Sequence, residues 1–93
     1  MSSEHPEPSW RIRESTVFRE LDGEAVVLSL DSSTYFGLNQ VGTAIWQLVE
    51  QHGRVSEVAD ALARQYDVSH ERARADVIDL MTQLVEKGLA EPL

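Results

Sequence analysis

Thr34-Tyr35-Phe36-Gly37-Leu38-Asn39 decides how the chain is read. It is a short β-like run, two aromatics and a leucine around a glycine, and it leads straight into the first convincing helix. About five residues is an ordinary strand length. Alternation puts Thr34, Phe36 and Leu38 on one face and Tyr35 and Gly37 on the other, so Phe36 and Leu38 are expected in the core with Tyr35 partly out. A glycine inside a strand has no side chain to pack and often marks a bulge or the close approach of another backbone. No further strand pattern follows, so this one is expected at a sheet edge, with main-chain N–H and C=O groups left to pair. Neither lysine nor proline blunts that edge. Two readings stay open on pattern alone: Tyr35, Phe36 and Leu38 as core with Gly37 a bulge, or the strand as a place where something binds.

Working back from this strand, Asp31-Ser32-Ser33 is a turn cluster and Glu24 to Leu30 a second strand. Its Val26, Leu28 and Leu30 are expected on the core face, with Ala25, Val27 and Ser29 opposite, partly covered because of Val27. Asp22-Gly23 is a two-residue type I′ hairpin signal, and Thr16-Val17-Phe18-Arg19-Glu20-Leu21, rich in β-branched and aromatic residues, is the strand before it. Residues 1–9, polar and broken by Pro6 and Pro8, are expected to form a flexible tail, leaving residues 10–93 as one domain.

Forward from the strand, Asn39 is a good N-cap. Val41, Ala44, Ile45, Leu48 and Val49 follow at the spacing of an amphipathic helix, with Trp46 off the stripe, expected against the sheet or a neighbouring helix. Gly53 stops the helix. Ser56 is expected to cap a second helix carrying Val58, Ala59, Ala61, Leu62 and Tyr66. Asp67-Val68 turns the chain, and Ser69 caps a third helix whose Glu71 suits the helix dipole. Ala73, Val77, Leu80 and Leu84 form its core stripe, with Ile78, Met81 and Val85 alongside. Gly88 fits the position after the helix, and Leu89 its hydrophobic contact. The fold class is therefore α+β: a three-stranded antiparallel sheet followed by three helices, in a winged helix-turn-helix-like arrangement.

Composition narrows the function. The chain has 93 residues, no cysteine, and 16 acidic against 8 basic residues, a net charge of −8. Nucleic-acid binding rests largely on neutralising phosphates with Lys and Arg, and the only lysine is Lys87, so DNA and RNA are not expected partners. No apolar run reaches the roughly 18 residues of a membrane span, and no signal peptide is visible, so a cytoplasmic location is expected. His5, His52 and His70 are too scattered for a metal site; the serines lie in caps and turns without a nucleophile elbow; no glycine-rich phosphate loop exists. No enzyme activity, metal or cofactor is expected. Asp76, Asp79 and Glu86 fall on the polar side of the last helix. Asp76 borders its apolar stripe, within reach of anything lying beside the helix.

The run VVLSLDSSTYFGLNQVGTAIWQLV, then EVADALARQYDV, then ADVIDLMTQLVEKGL, resembles the PqqD-like family, also called RiPP recognition elements, over roughly Arg13 to Leu89. Its most specific part is Tyr35 to Asn39 followed by Val41 to Trp46. The resemblance implies a protein that binds the leader of a ribosomally synthesised precursor peptide as an extra β-strand. The leader would pair with the third strand, in the cleft beside the third helix, and be presented to a separate enzyme. It implies backbone partners at Thr34, Tyr35, Phe36, Gly37 and Leu38, and a helix wall drawn from Asp76, Val77, Leu80, Met81, Gln83 and Leu84. With no fused enzyme domain expected, the chain resembles the lasso-peptide subgroup, which implies a separate leader peptidase and a cyclase as further partners. The alternatives are a PqqD-type chaperone delivering a precursor to a radical enzyme in quinone-cofactor synthesis, a winged-helix DNA-binding regulator, or a dimerisation module pairing through the same edge. A monomer or weak dimer is expected.

Overall fold

The computed structural model describes residues 7–93. Along them run β1 (Trp10–Ile12), β2 (Thr16–Leu21), β3 (Glu24–Ser29), β4 (Thr34–Leu38), α1 (Gln40–His52), α2 (Val55–Tyr66), α3 (His70–Glu86) and β5 (Ala90–Pro92). Asp22 and Gly23 take φ of +57° and +83°, both left-handed as a type I′ turn requires, and so pair β2 with β3. The loop to β4 closes with Ser33 N–H donating to the Ser29 carbonyl at 2.8 Å. The result is an antiparallel sheet in the order β2-β3-β4. The sequence pattern missed a second sheet, β1 against β5. Three-residue strands carry too little alternation to be seen, and Pro92 argues against one.

Phe18, Val27 and Phe36 stand in register across the three strands and face the helices. This reverses the expectation for β3. Ala25, Val27 and Ser29 are the buried set, whereas Val26 and Leu30 are 47% and 59% exposed. The more hydrophobic alternate set is the outer one because α1 lies against the inner face, where the small side chains of Ala25 and Ser29 leave room. Trp46 on α1 stacks on Phe18 with ring centroids 6.0 Å apart and planes at 18°.

The helix ends follow side-chain chemistry in two cases out of three. Asn39 accepts from Gly42 N–H at 2.8 Å, and Ser69 accepts from Arg72 N–H at 3.0 Å. α2 differs from expectation: its N-cap is Arg54, which makes no side-chain capping bond, so Ser56 is not the cap. The donors there are taken by the segment before β1. Val55 N–H reaches the Pro8 carbonyl at 2.9 Å, and the Glu7 carboxylate accepts from Ser56 N–H at 2.9 Å and Ser56 Oγ at 3.0 Å. Leu93 N–H donates to the Ser9 carbonyl. Residues 7–9 are thus hydrogen-bonded to the domain; the rest of the expected tail, with His5, lies outside the described residues.

The two hydrogen bonds from Ser56 hold the Glu7 carboxyl below its ordinary pKa. A depressed carboxylate stabilises the fold above its unfolded pKa, near 4.3, and that contribution is lost as pH falls through the folded value. The Ser56 amide resonance is therefore expected to hold steady above about pH 5 and to move as pH drops below about 4. In Glu7→Gln this shift should be absent; its persistence would mean another group titrates there.

α3 ends in a Schellman motif, Leu89 N–H donating to the Leu84 carbonyl and Gly88 N–H to Val85, with Gly88 at φ +77°. Its buried stripe is Ala73, Val77, Met81 and Leu84. Met81 thus takes the core position that the pattern assigned to Leu80, which is half-buried. Among the described residues no helix is long and apolar enough to cross a membrane.

Candidate functional site

Among the described residues β4 pairs only with β3, which leaves its other side a sheet edge. Which backbone groups it offers follows from the ladder. A two-residue hairpin makes Leu21 and Glu24 a hydrogen-bonded pair, and such pairs alternate along antiparallel strands. Residues 24, 26 and 28 of β3 therefore bond β2, and Leu30 N–H continues this series to the Ser15 carbonyl at 2.8 Å. Residues 25, 27 and 29 bond β4 at Leu38, Phe36 and Thr34. The N–H and C=O groups of Tyr35 and Gly37 are left pointing outward from the edge. Of the five strand residues, these two carry the free main-chain groups; Thr34, Phe36 and Leu38 send their side chains toward the helices instead.

Gly37 forms no bulge, since the register runs unbroken from Ala25↔Leu38 to Ser29↔Thr34. Its φ is not positive, and a Cβ added there would meet nothing within 4 Å. Among the described residues nothing in the packing calls for a glycine. Tyr35, on the same outer face, is 70% exposed.

Beside the edge, α3 runs antiparallel to β4. At the Leu38 end a depression of about 350 Å³ lies between the start of α1 (Asn39, Val41, Gly42, Ile45) and Asp76, Asp79, Leu80 and Gln83 of α3. At the Thr34 end another depression, about 580 Å³, joins Ser29, Ser32 and Thr34 to Glu86, Lys87 and Gly88. Half-buried Phe36 lies between them on the strand. Edge and helix thus flank one cleft with a hollow at each end.

Of the six α3 residues expected in its wall, Asp76, Leu80 and Gln83 line the first hollow. Val77, Met81 and Leu84 do not: all three are fully buried in the core. On a helix packed through a broad face, residues one position apart differ by about 100°, so only the flank of the apolar stripe reaches the cleft. Residues missed from the sequence are Asn39, Val41, Gly42 and Ile45. Their signal was available, because a helix that starts directly after the strand must place its first turn at the strand's end. A wider dish of about 680 Å³ by the β2–β3 hairpin, lined by Arg19, Leu21, Val26 and Gly37 among others, includes no α3 residue. Asp76 pairs with Arg72 at 3.8 Å across one helical turn, both exposed. Among the described residues, no group of three or more His, Cys, Asp or Glu is placed to hold a metal.

Residues 24–90 match the family described as Coenzyme PQQ synthesis protein D (PqqD). Two solved structures are similar over nearly the whole domain. One is TbiB1 in complex with the TbiA(beta) leader peptide: TM-score 0.80, 37% identity, 87% of this chain and 94% of that one covered. The other is lasso peptide synthetase B1 complexed with the leader peptide: TM-score 0.78, 30% identity, 90% and 99% covered. No curated protein matches the chain at comparable significance.

Proposed function

The chain belongs to the PqqD family, and from that premise we propose that it captures the leader of a ribosomally synthesised precursor peptide as an added strand on β4 and presents it to a separate processing enzyme. The observation that carries this reading is the open edge itself: Tyr35 and Gly37 offer two donors and two acceptors beside the cleft. Strand addition supplies affinity through main-chain bonds and specificity through pockets for alternate side chains. Here the side chains opposite Phe36 and Leu38 enter the cleft, and those opposite Tyr35 and Gly37 face outward. The chain acts by holding and orienting, and bond chemistry belongs to its partner. Two similar structures described with leader peptides, one of them a lasso peptide synthetase component, favour a lasso-peptide leader peptidase as that partner, with a cyclase acting afterwards, over a radical enzyme of quinone-cofactor synthesis.

The test is an amide NMR titration with a synthetic peptide copying the leader of the precursor encoded beside this chain's gene. Shifts centred on Tyr35, Gly37, Asn39, Leu80 and Gln83 are expected; saturable shifts confined to the opposite face of α2 would discard the cleft. Substitutions on α3 should separate by burial. Leu80→Ala is expected to weaken binding severalfold with a modest effect on stability, whereas Leu84→Ala should cost about 2–5 kcal/mol of stability. Urea unfolding alongside calorimetric titration measures both; equal binding losses at matched folded fraction would refute the division.

A further inference from the structure

We infer that the captured segment carries a lysine or arginine two residues before an apolar side chain, the cation seated at Asp76 and Asp79. The inference rests on the strand-addition reading and deepens it. A strand added antiparallel, like every pairing already in this sheet, meets Leu38 before Phe36. Its side chains opposite those two residues both point into the cleft, so recognition is read at positions i and i+2. The residue at i+2 lies over half-buried Phe36 and is selected for apolar surface. The residue at i enters the depression at the Leu38 end, where the chemistry changes. Val41, Ile45 and Leu80 give it apolar surface, Asn39 and Gln83 add polar side chains, Asp76 and Asp79 line it as well, and among the described residues no cationic side chain does. A hollow that sets apolar side chains beside two carboxylates suits a long aliphatic stem with a charged head, which lays its methylenes along the apolar surface and keeps the head in solvent. The exposed Arg72 on Asp76 is a weak competitor, as surface pairs one turn apart are. The far hollow has no such preference: Arg13 and Lys87 are balanced by Asp31 and Glu86. The two ends of the cleft therefore differ in charge, which fixes the direction in which a peptide of this pattern lies.

The test sorts a yeast-displayed library of random ten-residue peptides against the wild-type chain, keeping clones that lose binding to Gly37→Pro. Circular dichroism is checked for each variant used. Lysine or arginine is expected to be enriched severalfold two residues before an apolar position. The best clone, made as a synthetic peptide, should bind about tenfold more weakly when that cation becomes glutamate. The same change should matter less than about twofold against an Asp76→Asn, Asp79→Asn chain, and the wild-type preference should fade at high salt. Gly37-dependent clones without a cation preference, or with one that survives the double substitution, would overturn the inference and leave strand addition standing. A sort yielding no Gly37-dependent clone would overturn strand addition, and the inference with it.

Discussion

A Gly37→Pro chain is expected to keep its helical circular dichroism and to bind the leader roughly 5- to 150-fold more weakly than the wild type. Proline removes the N–H of a residue whose amide points away from β3, so no bond of the existing ladder is broken. Proline is tolerated on a sheet edge in that orientation, and it requires an extended residue before it, which Phe36 already is. The added peptide loses one donor, and its facing carbonyl is left unpaired beside the strand. A made hydrogen bond nets about 1 kcal/mol and an orphaned group costs about 1–3 kcal/mol, which sets the range through about 1.4 kcal/mol per tenfold in Kd. Gly37→Ala is the control: its Cβ meets nothing within 4 Å and the N–H remains, so affinity should change by less than about threefold. Calorimetric titration reads both. Undiminished binding to folded Gly37→Pro would remove β4 as the docking edge.

The meander, the three helices and the edge position of β4 were legible because each has a local cause: a type I′ dipeptide at Asp22-Gly23, N-caps at Asn39 and Ser69, a Schellman glycine at Gly88. What misled was anything settled by packing across the chain. Val26 and Leu30 outrank Ala25 and Ser29 in hydrophobicity, yet the small residues face α1 because the helix lies close; strand alternation identifies two faces but not which one is covered. Leu80 and Met81 are adjacent on α3, and the choice between them for the core depends on the tilt of a helix against its neighbours. Ser56 looked like a cap because the competing carboxylate, Glu7, is 49 residues away in sequence. The site suffered the same limit. Tyr35 and Gly37 could be singled out from Thr34, Phe36 and Leu38 only once the hairpin register fixed which amides were already used.

Trp46→Ala should be the most damaging single substitution in the sheet–helix interface, with a loss of about 3–5 kcal/mol. A domain of this size holds about 5–14 kcal/mol in all, so Tm would fall by about 12–40 °C. Trp46 is 1% exposed and fills the space between α1 and β2 by stacking on Phe18; alanine leaves a cavity that neither backbone can close. Among the described residues its indole Nε1 has no hydrogen-bond partner, and a buried unpartnered donor costs about 1–3 kcal/mol. Trp46→Phe keeps a ring against Phe18 and removes that donor, so its loss should stay below about 1.5 kcal/mol despite the smaller ring. Urea unfolding followed by circular dichroism distinguishes the two. If phenylalanine proved as costly as alanine, the indole N–H would have to be satisfied by a water that tryptophan holds and phenylalanine cannot. The same pair also separates fold from function. Phe18 and Trp46 support the sheet from beneath, with β3 between them and the edge. A folded Trp46→Phe chain should therefore bind leader within about twofold of wild type, because the proposed strand addition draws its affinity from the outward main-chain groups of Tyr35 and Gly37 and the cleft beside them.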